Sequence, residues 1–150
     1  MINWFKKKFY GLNELNELEK LILNDIRDKL SPEIISLWDN QMRKINKVQR
    51  LPNGVESDFY VIDLKTGKPT FDDKLRFPNQ TEELLFATTT LKFESNILDA
   101  DVFCINGRIF CITYKGSALY WIELLGSVDE YSSKIEIQSK VHENLLLNKK

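Results

Sequence analysis

Glu56, Asp58, Asp63 and Lys65 fall close together along one stretch, and Val61-Ile62 leads an apolar run straight into Asp63-Leu64-Lys65. Carboxylates so placed can hold Mg²⁺. A lysine beside them can orient a water and stabilise developing charge, which is the chemistry of metal-assisted phosphodiester cleavage. The plainer reading is a strand end running into the polar turn Thr66-Gly67-Lys68-Pro69. Other reactive groups are few. Cys104 becomes a nucleophile only if a neighbour lowers its pKa, and the adjacent Phe103 and Ile105 are apolar. His142, the single histidine, sits in the polar stretch Lys140-Val141-His142-Glu143-Asn144, where neither an orienting partner nor a pocket is expected. One histidine also argues against His-rich metal centres and triad chemistry. No catalytic group, cofactor or metal ligand set is therefore expected.

Charge is more informative than reactivity. The 150 residues carry 21 Lys+Arg against 22 Asp+Glu, a balance that argues against general nucleic-acid binding, which needs a basic surplus. Along the chain the two signs separate. Residues 82–101 hold Glu82, Glu83, Glu94, Asp99 and Asp101 against Lys92 alone, and residues 116–133 add Glu123, Asp129 and Glu130 with no lysine or arginine. Basic residues gather instead in residues 1–8 and at Arg43, Lys44, Lys47 and Arg50. Segregation of this kind steers a complementary partner, so the eight acidic residues are the candidate partner-binding set; a merely solvated surface is the ordinary alternative. Asp99 and Asp101 would share a strand face, but no third ligand follows at calcium-loop spacing.

These groups need a frame to hold them. A chain of this length and ordinary globular composition makes one domain, with residues 1–11 as an aromatic and basic start and residues 142–150 as a polar tail. The segment Trp4-Phe5-Lys6-Lys7-Lys8-Phe9-Tyr10 lacks the apolar run of a secretory signal and suits packing on the domain, or weak contact with a membrane interface. No stretch is long and apolar enough for a membrane span. Leu15, Leu18, Ile22, Ile26 and Leu30 recur at helical spacing and predict a helix over 13–30, with Asn13 as its cap. Ser31-Pro32 predicts a second helix start, and its stripe runs through Ile34, Trp38 and Met42. Strand chemistry then takes over at 45–50 and 55–64. A helical turn is expected near Asn79-Gln80-Thr81-Glu82, before strands at 87–94, 100–105 and 108–114. Further strands are expected at 118–125 and 134–141. Asn106-Gly107 is the preferred pair for a tight hairpin turn. Numbering across that turn pairs Cys104 with Ile109 and Val102 with Cys111. The two cysteines are then diagonal neighbours on one face, about 7 Å apart and beyond disulfide reach. Free thiols fit a reducing, cytoplasmic setting. The fold class is α+β, two N-terminal helices packed on a mainly antiparallel sheet of about six strands joined as a meander. Tyr120 and Trp121 are partner anchors or, more ordinarily, core residues.

Gln49-Arg50, Gly54-Val55-Glu56 and Phe59-Tyr60, then Leu75-Arg76-Phe77-Pro78-Asn79, then Asn106-Gly107-Arg108-Ile109-Phe110 follow an order that resembles small bacterial immunity proteins. These are the proteins encoded beside polymorphic or contact-dependent growth-inhibition toxins, and the resemblance spans residues 40–115. It implies a non-catalytic protein that binds a cognate toxin domain and blocks its active site or substrate groove, and it transfers no binding residue. Asp63-Leu64-Lys65 in turn resembles the catalytic strand end of PD-(D/E)xK nucleases, with Glu56 or Asp58 as a further acid. That family needs a mixed sheet and a helix after the motif, where this chain has a turn. The leading expectation is thus an immunity-type binding protein. A Mg²⁺-dependent nuclease and an adaptor or structural subunit docking through an exposed strand edge or its aromatic N-terminus are the competing readings.

Overall fold

The computed structural model describes residues 15–127, 134–142 and 145–146. Within them lie three helices and one antiparallel sheet of six strands, the α+β class expected.

Helix α1 (Glu17–Arg27) starts one turn later than the periodicity suggests. Asn13 lies outside the described residues. The cap is Asn16, whose side chain accepts from Glu19 N at 2.8 Å while Glu19 Oε1 accepts from Asn16 N at 2.8 Å, a reciprocal pair that satisfies two orphan donors. Helix α2 (Pro32–Lys44) begins at Pro32 as expected, since a fixed φ and a missing N–H suit the first helical position. The Ser31 side chain, however, makes no capping hydrogen bond.

The strands are β1 (Lys47–Arg50), β2 (Glu56–Tyr60), β3 (Leu84–Phe93), β4 (Asn96–Ile105), β5 (Arg108–Lys115) and β6 (Glu136–Val141). Their order in the sheet is β1-β2-β5-β4-β3-β6, so the chain is not a simple meander. Only β3, β4 and β5 run consecutively. The β1–β2 hairpin adds to the β5 side and β6 returns to the β3 side, leaving the β4–β5 hairpin in the middle as its two-sided apolar pattern requires. No helix forms at 79–83; the Asn79 carboxamide instead accepts from Thr81 N at 3.2 Å and Thr81 Oγ1 at 2.7 Å, an Asx turn that leads into β3.

Residues 118–125 are not a strand. They lie in helix α3 (Ala118–Ser127), with Ala118 and Trp121 buried one turn apart and the first-turn N–H of Tyr120 donating to Ser117 Oγ. Tyr120 is exposed and its hydroxyl accepts from Asn96 Nδ2 at 3.0 Å. A short, mostly apolar run fits a buried strand and a buried helix equally; here leucine and alanine outweigh β-branched residues, and the helix wins.

All three helices bury their apolar faces in the same cluster as Phe86, Leu91, Leu98, Val102, Cys104 and Ile112, so they cover one side of the sheet. Leu145, from the expected polar tail, is buried in that cluster too, and its carbonyl accepts from Asn79 N at 2.8 Å. Buried Gln41 ties α2 to the central turn, donating to the carbonyls of Leu75 at 2.7 Å and Gly107 at 3.0 Å and accepting from Ile109 N at 2.9 Å. Gly107 has φ +82°, and a Cβ there would sit 2.7 Å from the Phe77 carbonyl oxygen, so only glycine fits the turn.

Candidate functional site

One irregularity decides what the other side of the sheet displays. The β4–β5 register runs from Ile105↔Arg108 and Cys104↔Ile109 to Phe103↔Cys111, so Phe110 is an extra residue. This β-bulge reverses the alternation after it. Val102 therefore pairs with Ile112 rather than Cys111, and the expected facing is corrected at both positions. Ile112 joins the core while Cys111 moves to the outer side. Cys104 stays in the core, where burial pushes its thiol far above the ordinary range and keeps it unreactive. Both cysteines are free thiols, and they face opposite sides of the sheet.

On the outer side Cys111 lies directly across from Asp58, and Glu56 is two residues along the same strand face. One oxygen from each carboxylate and the Cys111 sulfur lie within 4.8 Å of one another. Asp58 is 8% exposed, and its Oδ1 is buried without a hydrogen-bond partner. Burial, then the Glu56 carboxyl through a hydrogen bond and its charge, pushes Asp58 up to about 7. Burial and then the charges of Glu56, Asp58 and Glu83 push the Cys111 thiol up to about 12.

Two different neighbourhoods flank this centre. Toward the hairpin turn, Tyr60 meets the bulged Phe110 edge-on at 5.7 Å between centroids, the Arg108 guanidinium lies 4.9 Å from the Phe110 ring, and Arg76 lies 4.9 Å from Phe71. Burial, then the charge of Arg76, lowers the pKa of Arg108, and burial followed by Asp58 raises that of Tyr60. Toward the opposite end, Asp101 accepts from Lys115 at 3.3 Å and Asp99 accepts from Thr90 Oγ1 at 2.7 Å.

The acidic residues singled out from the sequence are thus divided. Asp99 and Asp101 stand on the outer face of β4, and Glu83, just before β3, is close enough for its charge to act on Cys111. Glu82 is its exposed neighbour. Glu94 caps the β3–β4 turn with φ +55°, at the sheet's end. Glu123 is exposed on α3, whose buried side chains pack on the helix-covered side. Asp129 and Glu130, like the segment 4–10, lie outside the described residues. Glu56 and Asp58 belong with Asp99 and Asp101; their i, i+2 spacing puts them on one strand face, but no local signal announces Cys111, which a long-range pairing and a bulge deliver.

Asp63 takes no part in this group. Its carboxylate accepts from Lys65 N at 2.8 Å and its backbone closes the loop to Gly67 and Lys68, so both ends of the Asp63-Leu64-Lys65 motif serve a turn. The Val55–Leu64 strand expected there stops at Tyr60, with one isolated bridge between Ile62 and Pro69 beyond it. His142 is exposed, with Nε2 2.9 Å from Thr88 Oγ1. It borders a cleft of about 340 Å³ lined by Ser31, Ile34, Phe86 and Leu145, and no carboxylate lines that cleft among the described residues. No helix of the described residues is long and apolar enough to cross a membrane. No family model, curated protein or solved structure matches the chain.

Proposed function

We propose that this chain is a non-catalytic, cytoplasmic binding protein of the immunity type, and that it neutralises a basic toxin domain by docking it on the outer face of the sheet. The observation that carries the reading is the division of the sheet. The three described helices close one side, while the other carries Glu56, Asp99, Asp101 and the buried Asp58 beside half-buried aromatic and arginine side chains. Such a face combines a charged field that speeds encounter with aromatic and arginine groups that anchor a partner once it has arrived. Among the described residues no nucleophile is assembled with a base, which fits masking rather than chemistry. The hydrolytic reading built on Asp63 and Lys65 gains no geometric support, because the Asp63 carboxylate is taken up by the Lys65 backbone N–H of its own loop and lies outside the Glu56, Asp58 and Cys111 group.

The test uses the purified toxin domain encoded beside this chain's gene. A complex should form, and Asp99→Lys with Asp101→Lys should weaken it roughly ten-fold or more, with a larger loss at low salt. Glu123→Lys on the opposite side should leave affinity unchanged. Absence of a complex, or equal sensitivity to both changes, overturns the reading.

A further inference from the structure

We propose that Glu56, Asp58 and Cys111 form a binding site for a borderline-soft divalent cation, zinc foremost, on the outer face of the sheet. The donor set selects the class of ion. Thiolate sulfur is a poor ligand for Mg²⁺ and Ca²⁺, which take six or more oxygens, whereas two carboxylates and a thiolate supply three of the four positions that zinc fills. The three donor atoms already lie within 4.8 Å of one another. Bond lengths of about 2.0–2.3 Å to oxygen and sulfur put tetrahedral donors about 3.6 Å apart, so the group has to contract by roughly 1 Å. Side-chain rotation accomplishes that without moving the strands, because Asp58 and Cys111 are direct partners in the β2–β5 ladder and Glu56 shares their face.

A second observation points to a ligand independently of the clustering. Asp58 is more than nine-tenths buried, yet Oδ1 has no hydrogen-bond partner. Buried carboxylate oxygens are ordinarily satisfied, and this one, beside a second carboxyl and a thiol, keeps lone pairs that a cation can take. Cys111 has no competing role. It makes no disulfide, and the bulge turns it away from Cys104 and the core. On binding, the sulfur–proton bond breaks, the sulfur–metal bond forms from the same electron pair, and the proton passes to the buffer. No oxidant or reductant is needed.

Full-length protein stripped with EDTA and dialysed free of it is titrated with Zn²⁺ by calorimetry and with Co²⁺ by absorption. The site predicts one equivalent of zinc, an observed enthalpy that varies linearly with buffer ionisation enthalpy as proton release requires, and a thiolate-to-cobalt charge-transfer band that added Zn²⁺ abolishes. Cys111→Ser should remove the band, and Glu56→Gln should weaken zinc roughly ten-fold or more while the band persists. Mg²⁺ should not compete. The second variant keeps the test alive if the first fails to fold. A missing band in the wild type, or zinc affinity unchanged in Glu56→Gln, overturns the site. Neither result bears on toxin docking, which requires no metal.

Discussion

The two sides of the sheet are made from the same strands but obey different rules. On the inner side Trp38 of α2 lies 6.0 Å from Phe86 of β3, both are essentially inaccessible, and several buried polar groups there are paired, Glu19 with Arg50, Gln41 with three backbone groups and Thr89 with Ser139, while the Tyr114 hydroxyl is buried without a partner. The outer side instead crowds ionisable groups together. It holds two carboxyls against a thiol, an orphaned Asp58 oxygen, and the Arg108 guanidinium, whose pKa burial and then the neighbouring Arg76 charge lower. Crowded ionisable groups, rather than orphaned atoms as such, therefore distinguish the outer side from the inner one.

The most severe way to break this contrast is to truncate one aromatic on each side. Phe86→Ala should lower unfolding free energy by about 3–5 kcal/mol, because it removes buried surface and leaves a cavity among rigid neighbours. Phe103→Ala on the half-exposed outer side should lose about 1 kcal/mol or less. Urea unfolding of the two variants measures both. Comparable losses would mean that the outer side is a second core and that its exposure is incidental.

The inner side was largely legible because its determinants are local. Asn106-Gly107 forces the hairpin, Ser31-Pro32 separates the helices, and the stripe from Leu18 to Ile26 marks the buried face of α1. Residues 118–125 defeated the pattern because an apolar run interrupted only by Glu123 carries no clear period. The outer side was poorly legible for a different reason. Its central group depends on β2 crossing to β5, a pairing between residues more than fifty positions apart, and on one extra residue at Phe110. Alternation alone places Cys111 in the core, and a single bulge reverses it. The acidic segments at 82–101 were visible as composition, but only the strand face on which each residue falls separates Asp99 from Glu94.

A smaller effect tests whether charge can be buried on the inner side only when paired. Arg50 holds Glu19 through two hydrogen bonds, at 2.8 and 3.0 Å, and the same carboxylate caps α1. Glu19→Gln keeps the volume and an acceptor but removes the charge, and should cost about 2 kcal/mol by thermal or urea unfolding. Arg50 is 37% exposed and can rehydrate, so the loss should stay below that of a fully buried pair. A neutral result would show that the cap alone matters.

The outer side should respond to pH in the opposite sense from a paired carboxylate. Asp58 titrates near 7 in the folded chain, against an ordinary 3.8, chiefly because it is buried. The folded state therefore binds this proton more tightly than the unfolded state. Its stabilising contribution is complete below about pH 4 and disappears as pH rises through 7. In EDTA, stability should fall by on the order of 1–2 kcal/mol between pH 4.5 and pH 8 from this group. Asp58→Asn, which cannot ionise, should flatten that slope. A variant with the wild-type slope would assign the pH dependence elsewhere.

The smallest stability effect separates the two sides most sharply. Asp99 is exposed, and it accepts from Thr90 Oγ1 at 2.7 Å, a bond that asparagine can also accept. Asp99→Asn should therefore change unfolding free energy by no more than about 0.5 kcal/mol. The same change removes one charge from the face proposed to steer a basic partner. Its consequence should appear as a slower association rate at low ionic strength, with dissociation little altered, and it should fade as salt shortens the screening length to below about 10 Å. A residue that matters to the fold shows up in unfolding and not in association; one that matters to the partner does the reverse. Asp99→Asn with a normal association rate would remove the outer end of β4 from the docking face and confine it to the Tyr60, Phe110 and Arg108 end.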